Sequence, residues 1–433
     1  MSALKVIYHA QVEKRRALAA SLPYYVQPLA LGTTVFLIAV QVWTWIFYLP
    51  LFLGGRADFR HLYIAGLMFR TGHARELYEK ASQQFFQITY VSPGDFPMQY
   101  NHLPYEALLY APFSVVRYRA GYFAFLVFNL ALLAILYQLL RPRTQNIAKV
   151  YSWLPAGLIA GFIPIGVTLI QGQDSIVLLL LLTCGLLAIE RNVEFWAGVL
   201  VGVGLFKFTV VLPIALLFLV WRCWKFTAGF AITAVSLAGI SLWMVGWVQA
   251  EKYLQLLRAM GVRLSSSGDQ AFYTIQITAM PNLRGLVYGL ASQYVSNHAI
   301  QFITAVISIF VLVWAAIAGA KLVAPDRFLF AITASAVVSY HFLLHDMSIL
   351  FLPIITALDR YLSSGSPAGR SAALLFIAPL CWSFAPSHFY LVCLPLCIFL
   401  AFASRKDEVL TVHRTPAFNT PVTVSESASR SNN

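Results

Sequence analysis

Asp58 stands in Gly55-Arg56-Ala57-Asp58-Phe59-Arg60-His61, a carboxylate between two arginines just past a long apolar run. A carboxylate so placed can act as a general base, and the guanidinium groups beside it can hold a phosphate. The same spacing also describes a surface ion pair of Asp58 with Arg56 or Arg60, which is worth little.

Further polar groups punctuate apolar runs. Gln171, Gln173 and Asp174 form a tight polar turn, in which Asp174 is placed to cap the following helix. Lys207 interrupts an otherwise uncharged stretch, where a lysine costs about 2.5–3.5 kcal/mol on insertion scales; it either snorkels to the interface or faces an anionic ligand. His341 and His345 share the i, i+4 spacing that would put both imidazoles on one helical face, with Asp346 beside them. Two imidazoles and a carboxylate suggest zinc. All three come from one short segment without further Cys, His or carboxylate partners, so they read as hydrogen-bonding or phosphate-contacting groups, and no metal or other cofactor is assigned. No Gly-rich phosphate loop and no nucleophile elbow stands in the required context, which argues against an ATP-driven pump or a soluble-type hydrolase.

The elements that carry these residues are set by composition. Of 433 residues, 59% are hydrophobic and 11% charged, and the mean hydropathy is +0.72, far from the roughly 25% charged of soluble domains. Apolar runs at about 29–53, 121–140, 153–170, 176–189, 195–206, 209–221, 226–248, 300–320, 328–344, 347–358, 372–385 and 389–403 predict an all-α polytopic transmembrane bundle of about twelve spans. The net charge of +13 is scattered through short loops, which fits topology signals beside anionic lipid and not a nucleic-acid partner. Cys184, Cys223, Cys381, Cys393 and Cys397 lie in or beside apolar runs and read as packing residues. No internal repeat is evident.

Lys and Arg mark alternate connections, as the positive-inside rule requires: Arg141, Arg143 and Lys149; Arg222 and Lys225; Lys321 and Arg327; Arg360 and Arg370; Arg405 and Lys406. The intervening connections at 171–174, 345–346 and 385–388 have none and are placed outside. This register makes 103–116 a re-entrant or interfacial segment and 195–221 a helical pair broken near Lys207. It yields a cytoplasmic segment 1–28, which leads into an uncleaved first span, then a transmembrane domain 29–403 with long outer loops at about 54–101 and 249–299, and a disordered cytoplasmic tail 404–433. Asp58, Gln173, Lys207, His345 and Asp346 then share the non-cytoplasmic side of a multi-pass cell-membrane protein.

Asp58-Phe59 with Tyr63, Gly72 and Leu77-Tyr78, then 100–112 and Asn129, Gln171-Gly172-Gln173-Asp174-Ser175, Ala197-Gly198 before Lys207, and His345-Asp346 near Pro353 follow one another in an order that resembles a known family. The chain is similar to the bacterial GT-C glycosyltransferases that use polyprenyl-phosphate sugars, in particular the family of the mycobacterial phosphatidylinositol-mannoside mannosyltransferases. It departs from them where a tyrosine-proline-proline run is replaced by His102-Leu103-Pro104-Tyr105, and where Phe208, not proline, follows Lys207. The resemblance implies a GT-C fold and an inverting, metal-independent transfer of a sugar, mannose in that family, from a polyprenyl-phosphate donor to a lipid or glycan acceptor. It matches Asp58 to the catalytic aspartate. Lys207 and His345 become candidates for the lipid phosphate, and Arg56, Arg60, His61, Tyr78, Gln171, Gln173, Asp174, His341 and Asp346 for other substrate contacts.

A lipid or glycolipid transporter is the alternative, and would place its charges near the bilayer midplane, whereas an enzyme collects them under the outer loops. A membrane protein with only a structural role would leave them without a common site.

Overall fold

The computed structural model describes residues 24–92, 98–262 and 277–405, and these are mostly helical, with no strand among them. The N-terminal basic residues and the tail beyond Arg405 lie outside the described residues. Six helical stretches are long and apolar enough to cross a membrane, or seven if one bent pair counts as a span. In hydrocarbon the backbone must satisfy its own hydrogen bonds, and helices are how an apolar chain without strands does so.

The first long helix, α1 (Val26–Leu51), exposes large side chains such as Trp43 and Phe47 along its length, as a lipid-facing helix should. It passes through Gly55, whose φ of +98° turns the chain into α2 (Phe59–Arg70). α2 is buried almost throughout, and Phe59 forms its anchor: Phe125 stacks on it with centroids 5.4 Å apart, and Tyr63, Tyr110, Tyr118 and Tyr122 surround it. Asp58 is therefore tied to a rigid aromatic floor. After α3 (Lys80–Tyr90), the segment expected to be re-entrant is three short pieces, Pro104–Glu106, Ala107–Tyr110 and Ala111–Val115, none long enough to cross a membrane.

The helices that follow run between two polar ends. α4 (Tyr118–Leu140) leads to Arg143, which pairs with Glu190 at the foot of α7 (Ser175–Glu190). Between them, α5 (Leu154–Gly161) and α6 (Ile163–Gln171) are bent by 57° at Phe162 and Pro164 and climb back to the polar turn at 171–174. Asp359 accepts from the amides of Asn146 and Ile147 at 2.8 and 2.9 Å, and Arg360 pairs with Asp326, so the arginine-rich connections gather at one end.

α8 (Glu194–Val203) and α9 (Phe208–Val220) show that Lys207 is a point of reversal. Its φ of −106° and ψ of 55° break the helix. α8 packs against the start of α10 (Trp224–Val262) in the same direction, Phe195 beside Gly229, Gly198 beside Phe226 and Gly202 beside Thr233. α9 connects the top of α8 to the bottom of α10, so it must run the opposite way, and Lys207 caps a hairpin. Gly198 and Gly202 are spaced four apart, and only residues without a side chain allow backbones this close: a Cβ on Gly198 would lie 2.0 Å from the Phe226 carbonyl oxygen.

α11 (Leu283–Ala291), α12 (Asn297–Gly319), α13 (Ala324–Val338), α14 (Phe351–Ser364), α15 (Pro367–Ile377) and α16 (Cys393–Ala403) complete the bundle.

Candidate functional site

At the end of the bundle opposite the arginine-rich connections, side chains from four separate stretches of the chain converge. Gln173 Nε2 donates to Asp58 Oδ2 at 2.9 Å, and Lys207 Nζ donates to Gln173 Oε1 at 3.2 Å. The same ammonium lies 3.3 Å from Asp174 Oδ1 and 3.0 Å from Asp346 Oδ1. His345 contacts Asp346 Oδ1 through Nε2 at 3.4 Å and Gln171 Oε1 through Nδ1 at 3.0 Å. Asp346 also accepts from Ser175 Oγ at 3.2 Å and from the Leu343 amide at 2.9 Å. The chain from Asp58 to His345 is thus continuous.

Local sequence makes this possible. α6 ends on Gly172 at φ +67°, the left-handed conformation that only glycine adopts without strain, and a Cβ there would sit 2.6 Å from that of Phe59. The close approach of Gly172 to Phe59 brings Gln173 within reach of Asp58.

Behind this row lies a second one, in which the sequence reading named His61 but missed His102 and Glu106. Glu106, 1% exposed, contacts His102 Nδ1 at 2.8 Å, and His102 Nε2 is 3.3 Å from His61 Nε2. Ligand atoms of His102, Glu106 and Asp174 all lie within 4.8 Å of one another. Among the described residues this is the group compact enough to share a cation, and Lys207 already supplies a positive charge at Asp174. Burial pushes the carboxyls of Glu106 and Asp174 each up to about 7, with Lys207 pulling the other way, so near neutral pH the pair retains a proton. Burial and the Lys207 charge bring His102 down to about 4. The signal in the sequence was the His102–Glu106 i, i+4 pair inside a short apolar run.

The remaining candidates take distinct places. Tyr78 is buried and donates from its phenol to the His102 carbonyl at 2.6 Å, so it holds the second row in position. Arg60 is also buried, with Nη1 donating to the Gly55 carbonyl at 3.3 Å, whereas Arg56 is exposed. The partner of Asp58 is Gln173, not either arginine, so the surface ion pair is not its arrangement. Asp174 precedes α7 but makes no capping bond; its carboxylate faces Lys207 instead. Lys207, with its side chain 11% exposed, does not snorkel. His341 and His345 do not share a helical face, because 339–345 is an irregular connection. The His341 carbonyl accepts from Thr209 and Ser339, which fixes that turn.

Beside the site, an apolar cavity of about 630 Å³ opens between α1, α4, α5 and α6, lined by residues including Trp45, Leu49, Pro50, Leu133, Ile165 and Leu169. Its upper rim, Leu49, Pro50 and Leu169, is joined through a few residues of chain to Asp58 and Gln171.

No curated protein and no solved structure matches the chain. A family model, glycosyltransferase family 87, matches residues 102–353, more than half of the chain. The match takes in Glu106, Gln171, Gln173, Asp174, Lys207, His345 and Asp346 and begins after Asp58. On that extent of agreement the chain belongs to glycosyltransferase family 87, a GT-C-like family, and is a membrane glycosyltransferase.

Proposed function

We propose that the chain transfers a sugar, mannose in the family it resembles, from a polyprenyl-phosphate donor to the hydroxyl of a lipid or glycan acceptor, at the non-cytoplasmic face of the cell membrane, with inversion at the anomeric carbon. The observation that carries this reading is the hydrogen-bonded row from Asp58 through Gln173 and Lys207 to Asp346 and His345 at one end of the bundle. A transporter would spread such groups toward the midplane. The placement outside rests on the scarcity of Lys and Arg in the connections at that end.

Asp58 is the base in this scheme. Gln173 orients one carboxylate oxygen, and the other has no partner among the described residues, so it is available to an acceptor hydroxyl. As the acceptor oxygen bonds to the anomeric carbon, its proton passes to Asp58, and the bond from that carbon to the phosphate oxygen breaks, its electron pair leaving with the lipid phosphate. Lys207 is the cation at this site, and His345, whose imidazole burial holds below its ordinary pKa, faces the phosphate as a neutral hydrogen-bonding group. Lys207 has three acceptors within 3.3 Å for its three hydrogens, so it acts on the departing phosphate through its field unless one acceptor gives way. The apolar cavity below Asp58 suits the lipid chain of the donor, whose phosphate then lies at the level of the site.

Asp58→Asn keeps the size and polarity of the side chain and removes the base. Transfer from a synthetic polyprenyl-phosphate sugar in nanodiscs is expected to fall by about 10²–10⁴-fold, with donor binding and thermal unfolding little changed. A stable variant that keeps more than about a tenth of the turnover refutes Asp58 as base.

A further inference from the structure

A second cavity, of about 180 Å³ and mostly apolar in its lining, shares no residue with the Asp58 row. Its walls are α11, the first turns of α12 and the extended 338–340 segment, with Arg284, Asn297, Thr304 and Tyr340 among the lining side chains. Three observations there call for a ligand.

First, Arg284 is 6% exposed, and its guanidinium has no carboxylate partner among the described residues. Nη1 donates to the Tyr340 carbonyl at 3.0 Å, and the guanidinium carbon lies 3.8 Å over the Tyr340 ring. Those contacts orient the group but leave its charge uncompensated, which is costly in a buried setting. Second, Thr304 is 8% exposed and its hydroxyl has no hydrogen-bond partner among the described residues. Elsewhere in the bundle buried helical threonines donate to the carbonyl four residues back, as Thr183 and Thr333 do. Thr304 does not, and it lines the cavity. Third, the space is small compared with the roughly 300–1,000 Å³ of sites that enclose a drug-sized molecule, so it holds a headgroup and not a whole lipid.

We infer that this cavity binds the phosphate ester of a membrane lipid headgroup, with Arg284 supplying the charge and Thr304 and Asn297 the neutral contacts. The surroundings favour a lipid over free phosphate as the source. Phe302, 71% exposed, and Ile303 flank Thr304 on α12, and Tyr294, 81% exposed, stands just before that helix. Exposed apolar side chains interleaved with tyrosines mark the level where acyl chains meet headgroups. The site needs no glycosyl transfer to exist, so its test is independent of the catalytic reading.

The full chain, stripped of lipid in a neutral detergent, is titrated with three probes: dihexanoyl phosphatidylglycerol, dihexanoylglycerol, which lacks the phosphate, and inorganic phosphate. Phosphatidylglycerol is expected to bind and dihexanoylglycerol not. Arg284→Gln should weaken phosphatidylglycerol at least about tenfold, with Arg284→Lys in between, and Thr304→Val should weaken it about two- to tenfold, the range for one neutral hydrogen bond. Competition by inorganic phosphate at similar concentration would assign the free anion as an equal source; its failure to compete would assign the lipid. Equal binding of dihexanoylglycerol, or unchanged affinity in Arg284→Gln, overturns the site. Should Arg284→Gln not fold, unchanged affinity in Thr304→Val overturns it as well.

Discussion

Replacing Lys207 by glutamine tests whether the ammonium holds the site together. Lys207 lies 3.0 Å from Asp346 Oδ1 and 3.3 Å from Asp174 Oδ1. With an effective dielectric of about 20, each contact is worth about 5 kcal/mol of Coulomb attraction, most of it offset by the desolvation of the ions. The two carboxylates are not equivalent. Burial lifts Asp174 to about 7 and leaves it partly protonated, whereas His345 and Lys207 overcome burial and hold Asp346 below the usual carboxylate range. The uncompensated charge left by Lys207→Gln is therefore mainly that of Asp346. Breaking one partner of such a buried pair costs about 3–5 kcal/mol, which corresponds to a fall in thermal midpoint of about 3–5 °C for a chain of this size. Neutralising the partner should return part of that loss, so Lys207→Gln combined with Asp346→Asn is expected to unfold at a higher temperature than Lys207→Gln alone. Thermal unfolding in detergent reads the cycle, with the exposed Lys225→Gln as a control that should not move. A Lys207→Gln variant that melts with the wild type would mean the ammonium reaches solvent. A double variant no better than the single would remove Asp346 as its counter-ion.

Gly172→Ala places a Cβ against Phe59 at a positive φ and is expected to cost about 1–3 kcal/mol; Gly239→Ala, with open space around it, is the control, and equal melting of the two variants would contradict the packing described. Glu106 binds its proton more tightly folded, at about 7, than its ordinary value of 4.5, so its contribution favours folding below about 4.5 and declines as pH rises through 7. The drop in thermal midpoint between pH 5 and pH 8 should accordingly be smaller in Glu106→Gln than in the wild type; an identical drop speaks against the buried carboxyl. Single cysteines introduced at the exposed Ser387 and Gln145 in a cysteine-free background should react with impermeant reagents from opposite sides of the membrane, the first from outside. Labelling of both from one side would overturn the two-ended arrangement.

Much of the site was legible because a membrane makes polar residues conspicuous. Gln171, Gln173, Asp174, Lys207, His345 and Asp346 each interrupt an apolar run, and the alternation of Lys and Arg between connections assigns them to a common end. The break at Lys207 was required by that alternation, and the packing of α8 on α10 agrees with it. Glu106 escaped notice because 103–116 has the composition of an ordinary apolar segment, and nothing along the chain shows that its carboxyl lies beside Asp174. Arg284 was equally silent, one arginine in a long connection between apolar runs.

Sequence by itself determined the helical class, the polar interruptions and the end of the bundle to which each belongs, because burial in hydrocarbon penalises every unpaired polar group and the Lys- and Arg-bearing connections alternate with those that have none. Only tertiary structure decided which of those groups touch. Asp58 could pair with an arginine two residues away or with a glutamine 115 positions along the chain, and local spacing favours the arginine. The choice went to Gln173 because Gly172 packs its bare backbone on Phe59, a contact between two distant segments that no local pattern encodes.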